Sequence, residues 1–382
     1  MKLEIEVQLT SKVVSALKLM FVADSLSMPT HWFYRIADIY SFYPNGITTL
    51  ENAPSHHPGS IMSLHSVEGG GRKKNSHTSK SSQIVGDVIL KGKETYWNRP
   101  NIHYHHGMRA GENTLNAHCA RLLMRTINSN GGKYDKTLFL QAYIDFMTSN
   151  TPLHPDTYAE SYHREFFANI ERGLSAESCG GKTHDTASIG GLVTIGPLAL
   201  SLFLSGLNVS EVRKICSEHL QLTHPDSHLR RISESYVTLL GRLLLETNTK
   251  DSAERIKEIS IESIGINIEE LVRRQLSDEM VVGGKFSSAC YITDSWPSVL
   301  YLALKYFDDP KKALLVNANL GGDNVHRGVV LGTILGLASF SDPVPFYDEL
   351  TESEAISREI EMLCSSSQSL EASLFSSLRR SA

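Results

Sequence analysis

The sequence contains few cysteines and no arrangement in which they could pair. Only five of the 382 residues are cysteine, an odd number, and no Cys-x-x-Cys pair occurs. This excludes a disulfide framework and a cysteine-based zinc knuckle. Unpaired thiols are typical of a reducing compartment. Charged residues at Glu4, Glu6 and Lys12 also interrupt any N-terminal secretory pattern, so we expect a cytoplasmic protein.

A strong charge of either sign is also lacking. The chain has 37 basic and 42 acidic side chains, a net charge of −5. Without a basic excess, we expect no nucleic-acid partner and no anionic membrane surface as partner. One uncharged run, residues 189–209, is long enough to cross a bilayer. It contains Pro197 and several glycines and lacks aromatic or basic flanks, which favours a buried core helix.

The sequence also contains few segments with the residue pattern of a β-strand. Apolar residues recur at helical spacing in residues 11–28 and from Gly111 onward, whereas residues 84–90 form the one strand candidate. We therefore predict an all-α protein with a single large helical domain over residues 1–365. Residues 366–382 are rich in serine and are predicted to be a C-terminal tail.

Residues 41–110 are rich in glycine, serine, proline and histidine and show little periodicity. Seven of the 16 histidines lie in this stretch, which we predict to be a long irregular loop over a pocket. His103, His105 and His106 form a cluster that could face a metal or ligand, or could belong to a polar surface loop. Gly70 and Gly71 could cradle a phosphate through backbone N–H groups, or could belong to a flexible linker.

Four polar stretches stand where a predicted helix starts or ends. They contain Asp24 and His31, Glu112 and Asn113, His184 and Asp185, and Asp323 and His326. A carboxylate at a helix N-terminus is favoured by the helix dipole, and the same place suits metal or phosphate chemistry. Each stretch taken alone is equally compatible with an ordinary helix cap.

Taken together and in order, these stretches resemble the motifs of the ADP-ribosylglycohydrolase family. Residues 23–31, 111–114 and 321–326 are similar to its opening Gly-Asp segment, its Thr-Asp-Asp-Thr motif and its closing Gly-Gly-Asp-Thr-Asp-Thr motif. The family includes relatives that serve as jellyfish lens crystallins. The resemblance implies a large orthogonal helical bundle that holds two magnesium ions. It also implies hydrolysis of a glycosidic bond in a small-molecule or protein-linked ADP-ribose substrate.

Several motif positions depart from the family pattern. Asp323 keeps its carboxylate, Glu112 replaces a shorter acid, Asn113 loses a charge and Val325 removes a ligand. Magnesium requires a set of oxygen ligands. A standard two-magnesium site is therefore not expected at these positions.

Imidazoles stand where the family has oxygen ligands, which leads to two hypotheses. In the first, Glu112, Asn113, Asp323 and His326 hold a divalent ion, with a transition metal favoured by the imidazole. Glu112 and Asp323 are then the candidate catalytic groups. In the second, the protein is a non-catalytic crystallin-like or ligand-binding relative with a decayed site. The candidate ligand-binding residues in either case are Asp24, His31, His106, Gly70, Gly71, His184 and Asp185.

Overall fold

The computed structural model describes residues 2–72, 82–246, 248–339 and 343–380, and within these residues all regular elements are helical. The all-α prediction is confirmed. The helices are α1 Lys2–Ser27, α2 Ile36–Phe42, α3 Glu94–Trp97, α4 Leu115–Ser129, α5 Lys136–Thr148, α6 Ser161–Glu171, α7 Ile195–Leu204, α8 Val209–Gln221, α9 Ser227–Leu245, α10 Thr249–Ile264, α11 Ile268–Arg273, α12 Asp278–Val281, α13 Ile292–Lys305, α14 Pro310–Asn319, α15 Asn324–Ser339 and α16 Ser353–Arg380.

Helices α1 and α15 pack against each other at very short range in the centre of the molecule. Gly328, Gly332 and Gly336 form one face of α15, and a Cβ on Gly332 would lie 2.7 Å from the carbonyl oxygen of Leu19. Gly336 meets Ala16 while Gly328 meets the other end of α1, so the two helices are antiparallel. This packing places the chain that follows α1 beside the chain that precedes α15.

One helical stretch, Val7–Thr30, is long and apolar enough to cross a membrane, and 89% of its most apolar window is buried inside the protein. A central core helix meets the same criteria of length and hydropathy. The run at residues 189–209 contains the short helix α7, which is buried along nearly all of its length. The prediction of a core helix there is confirmed.

The strand predicted at residues 84–90 is wrong. The segment turns back on itself, because Gly86 adopts a φ of 104° and the N–H of Ile89 donates to the carbonyl oxygen of Ile84 at 2.9 Å. A left-handed glycine in the middle of an apolar run ends an extended chain.

The long segment before α4 is mostly irregular, and its histidines are used inside the protein. His103 and His105 are buried, and His105 lines a small pocket next to the chain that follows α1. Residues 73–81, the centre of the polar stretch, lie outside the described residues.

Helix α16 continues through Arg380 and so includes most of the residues predicted as a tail. Ser367 in this helix is buried, and its Oγ lies 3.0 Å from the Oγ of Ser201. The limits of the predicted domain remain a prediction.

Candidate metal centre

A glycine turn joins the start of α15 to the chain that follows α1. Gly322 has a φ of 63°, and a Cβ there would lie 2.1 Å from a backbone carbonyl oxygen, so only glycine fits. Gly322 donates to the carbonyl oxygen of Phe33 at 2.8 Å, and Trp32 donates to that of Gly322 at 2.7 Å. These two bonds bring Asp323 and His31 side by side.

Three buried side chains converge at this turn. One carboxylate oxygen of Asp323, Oδ1, lies 3.0 Å from Nε2 of His31 and 2.6 Å from Nδ1 of His326. Within the described residues, this is the one group of three whose ligand atoms lie within 4.8 Å of one another. The other oxygen, Oδ2 of Asp323, is buried without a hydrogen-bond partner. Since an orphaned carboxylate oxygen is costly to bury, a cation fits this place.

The charges of the cluster are strongly coupled. Burial disfavours the charged form of Asp323, yet His326 and His31 hold the pKa of its carboxyl far below the usual value. Burial would also lower the pKa of His326, but the carboxylates of Asp323 and Glu160 raise it to about 9. Burial lowers the pKa of His31 to about 3, so this imidazole is neutral near pH 7.

A second carboxylate, that of Asp156, is connected to His31 through the ring of His105. Nδ1 of His31 lies 2.7 Å from Nε2 of His105, and Nδ1 of His105 lies 2.8 Å from Oδ1 of Asp156. The two rings are nearly parallel, with centroids 5.0 Å apart. From Asp323 to Asp156 there are three contacts, and each needs one hydrogen. Two neutral imidazoles supply only two hydrogens, so one of the three contacts has none, and a cation between Nε2 of His31 and Asp323 would fit that contact.

Asn116 and Glu160 also contact His326, Asn116 at Nε2 and Glu160 near Nδ1. The side-chain nitrogen of Asn116 donates to Oε2 of Glu160 at 2.8 Å and lies 2.6 Å from Nε2 of His326. In this orientation Nε2 accepts and the ring is neutral, whereas a doubly protonated ring requires the amide oxygen to face it. Oδ1 of Asn116 accepts the hydroxyl of Tyr162 at 2.7 Å and lies 2.9 Å from Nε2 of His163, so an amide that turned over to face a charged His326 would lose these contacts. Burial raises the pKa of Glu160, whose Oε1 lies 3.6 Å from Nδ1 of His326.

The space beside the cluster is small. The cavity that these side chains line has a volume of about 10 Å³, which holds about one water molecule. Trp32 covers it, with its ring stacked 3.8 Å from that of His31 and edge-on to Tyr104 and Tyr158. The φ of Trp32 is 61°, in the left-handed region that a bulky residue seldom adopts. A sugar ring therefore requires Trp32 to move.

Two of the motif positions contribute no ligand to this cluster. The carboxylate of Glu112 accepts the backbone N–H of Arg109 at 2.8 Å, within its own turn, and does not reach Asp323. Val325 packs in a small apolar group with Met28 and Met108. The structure therefore brings together Asp323, His326 and His31 but leaves out Glu112.

Asp24 and Asn113 bind each other instead of facing the cavity. Oδ1 of Asp24 accepts the side-chain N–H of Asn113 at 2.8 Å and the backbone N–H of Thr114 at 2.9 Å. Its Oδ2 accepts the hydroxyl of Thr114 at 2.6 Å. Asn113 also donates to the carbonyl oxygen of Phe21. Asp24 thus links α1 to the start of α4 through these hydrogen bonds.

The remaining candidates lie around the cluster and not within it. Nε2 of His184 lies 3.1 Å from Oδ1 of Asp185, and both side chains are partly exposed. Gly71 lies against the ring of His184. Gly70 is held through its carbonyl oxygen, which accepts two N–H groups of Arg164. The ring of His106 packs against Tyr96, away from His31. The ligand-binding roles proposed for these residues remain predictions.

Three residues that line the cavity were not predicted from the sequence: Asn116, Asp156 and Glu160. His105 was predicted only as a member of the histidine cluster that contains His106. Glu160 directly precedes α6, as Asp323 directly precedes α15. A polar residue just before a helix was the available signal, and it does not reveal which distant side chain it meets.

These features define a helical protein with a buried cluster of His31, Asp323 and His326 between a glycine turn and a long irregular segment. A family model for ADP-ribosylglycohydrolase matches residues 6–368, so the chain belongs to this family. Members typically bind a divalent metal and act on ADP-ribose-containing substrates. The fold and the family support a glycohydrolase-like function.

A solved structure shows the same fold. It is described as an ADP-ribosylglycohydrolase-related protein complex and aligns with a TM-score of 0.57 and 15% identity. The alignment covers 94% of this chain and 99% of that chain. A search of curated proteins found no match. At this identity the likeness establishes the fold and leaves the substrate open.

Proposed function

We propose that the protein hydrolyses the glycosidic bond of a ribosyl or ADP-ribosyl substrate, with one divalent transition metal held by His31, Asp323 and His326. The observation that carries the proposal is the buried Oδ2 of Asp323, which has no hydrogen-bond partner although two imidazoles bind the other oxygen. Family membership supports the substrate class.

The donor set favours a transition metal over magnesium. Two imidazole nitrogens and one carboxylate suit zinc, manganese or iron, whereas magnesium requires oxygen ligands. When bound, such an ion supplies Lewis-acid activation of a water molecule. The positions from which the family's oxygen ligands would come are occupied by Val325 and by Glu112, which faces its own turn.

Glu160 is the carboxyl group placed to handle a proton. It lines the same cavity as His31 and His326, its Oε1 lies 3.6 Å from Nδ1 of His326, and its Oε2 accepts the side-chain N–H of Asn116. Burial raises its pKa, whereas the imidazoles lower that of Asp323. Two carboxyl groups with opposite shifts are suited to opposite roles. We assign to Glu160 the donation of a proton to the leaving oxygen. Asp323 stays charged and binds the metal ion. In this proposal Glu160 takes the role that the sequence suggested for Glu112.

Hydrolysis by metal-loaded protein tests the proposal. Protein freed of metal by a chelator is reloaded with zinc, manganese or magnesium and incubated with ADP-ribosylated peptides and simple ribosyl conjugates. We expect turnover with a transition metal, and losses in Asp323→Asn and Glu160→Gln. Glu171→Gln, an exposed carboxylate on α6, is the matched control and should retain activity. Equal turnover in Asp323→Asn and wild type would contradict the proposal.

A second function is favoured by one observation. The cavity holds about one water molecule and is covered by Trp32, as expected of a crystallin-like protein that keeps the fold without catalysis. This alternative predicts no metal dependence and no turnover on any ribosyl substrate. It also predicts no gain of ribose binding when Trp32 is replaced by glycine.

A further inference from the structure

We infer that His105 and Asp156 are positioning residues that fix the tautomer of His31, so that its Nε2 lone pair faces the cation site. This inference rests on the proposed metal site and identifies what prepares it. Neither residue contacts Asp323, so both act through His31.

The geometry forms a continuous chain of three side chains. Nε2 of His105 lies 2.7 Å from Nδ1 of His31, and Oδ1 of Asp156 lies 2.8 Å from Nδ1 of His105. All three are at least 98% buried, so water does not compete for these bonds. Asp156 cannot rotate freely, because its Oδ2 accepts the backbone N–H of Leu115 and its Oδ1 also accepts that of Tyr158.

The direction of the hydrogen bonds follows from the carboxylate. A charged Asp156 only accepts, so Nδ1 of His105 carries the hydrogen. In neutral His105, Nε2 then has a lone pair and accepts from Nδ1–H of His31. His31 with its hydrogen on Nδ1 has a free lone pair on Nε2, the atom that faces Asp323. A carboxylate that orients an imidazole ligand in this way is common behind metal sites, and here the effect passes through two rings.

Replacing Asp156 by asparagine should reverse the direction of the hydrogen bonds between residue 156, His105 and His31. The backbone N–H of Leu115, at the start of α4, should keep its acceptor. The amide has one oxygen for two backbone donors, and we expect it to keep the shorter bond, from Leu115 at 2.9 Å, and to give up the 3.2 Å bond from Tyr158, so that its NH₂ faces His105. Nδ1 of His105 must accept, its hydrogen moves to Nε2, and Nδ1 of His31 becomes the acceptor. The hydrogen of His31 then stands on Nε2, where it blocks ligation. Loss of such supporting bonds typically weakens metal affinity about 10- to 100-fold.

A purely structural role for Asp156 predicts a different result. If Asp156 serves only as the acceptor for the start of α4, Asp156→Asn should bind metal normally. His105→Gln changes the chain without touching that acceptor, so it should weaken metal binding like Asp156→Asn. Asp135→Asn is the matched control, because Asp135 accepts two backbone N–H groups at the start of α5 and lies outside this chain.

The test is titration of cobalt(II) into the full-length protein, followed by calorimetry and by the visible absorption of the bound ion. We expect one site in wild type and in Asp135→Asn. In Asp156→Asn and His105→Gln we expect about 10- to 100-fold weaker binding and a changed spectrum. Wild-type affinity and spectrum in Asp156→Asn would overturn the inference.

A metal-free measurement separates this inference from the proposed function. Imidazole ¹⁵N resonances report which ring nitrogen carries hydrogen. We expect hydrogen on Nδ1 of His105 in wild type and its loss from that atom in Asp156→Asn. If His105 has the same tautomer in both proteins, the inference that Asp156 fixes the tautomer of His31 through His105 is overturned, even if wild type binds metal and is active. If the tautomer changes as expected but the protein has no hydrolase activity, the positioning role of Asp156 and His105 is kept and the proposed function is rejected.

Discussion

Replacing Asp24 by alanine should destabilise the protein without removing the cation site. Asp24 was a candidate ligand-binding residue, but its two oxygens accept three hydrogen bonds from Asn113 and Thr114. The side chain is fully buried, so water cannot replace these bonds once the carboxylate is gone. The substitution leaves the backbone N–H and the hydroxyl of Thr114 without this acceptor.

The expected magnitude follows from two opposing contributions. Hydrogen bonds to a charged group each contribute about 1.5–3 kcal/mol net, and stranded buried donors add to the loss. Burial of the charge offsets part of this, as the raised pKa of Asp24 indicates. We expect a net loss of about 3 kcal/mol in the free energy of unfolding for Asp24→Ala. Asp24→Asn keeps an acceptor for the backbone N–H of Thr114 and should lose about 1 kcal/mol.

Urea unfolding of the metal-free proteins measures these losses, and Asp87→Ala provides an exposed carboxylate as control. The pKa of Asp24 is raised on folding, so the native state takes up this proton more readily than the unfolded chain does. Asp24 therefore does not drive acid unfolding, and its contribution to stability falls as pH rises through the folded pKa. An Asp24→Ala protein as stable as wild type but unable to bind metal would refute the structural role.

Four further outcomes are expected. Gly332→Val should lower the free energy of unfolding by about 3 kcal/mol, because the valine side chain would clash with the backbone of α1. The control Gly59→Ala should leave the thermal unfolding midpoint nearly unchanged. Equal midpoints for the two variants would contradict the close helix packing. Trp32→Gly relieves a left-handed backbone and opens the cavity, so ADP-ribose should bind more tightly in calorimetry than it does to wild type. Zinc affinity should rise with pH up to about 9, because the raised pKa of His326 means that a proton must leave, whereas His31, with a pKa of about 3, is already neutral. In the metal-free protein, the stability that His326 contributes is fully present below pH 6.5 and is lost as pH rises through about 9, which urea unfolding across this range would show.

The fold could be predicted from the sequence because its determinants are local or periodic. Apolar residues at helical spacing define α4 and α9, and the glycines of α15 recur every fourth residue, the spacing that allows close helix packing. The strand predicted at residues 84–90 failed, because a single left-handed glycine decided the local conformation.

The site could be predicted only in part. Asp323, His326 and His31 stand at recognisable motif positions, and the structure brings them together. The supporting residues His105 and Glu160 come from separate segments whose approach depends on tertiary packing, and no spacing in the sequence encodes it. Glu112 occupies a motif position, but its longer side chain bonds to its own turn.

The proposed function depends most on a single metal ion bound at the cluster of His31, Asp323 and His326. A crystal grown with zinc and measured at the zinc absorption edge would locate it by anomalous scattering. We predict a single peak bound by Nε2 of His31, the Asp323 carboxylate and Nδ1 of His326. Two ions, an ion at Glu112 and Asn113, or no peak at this cluster would contradict the account.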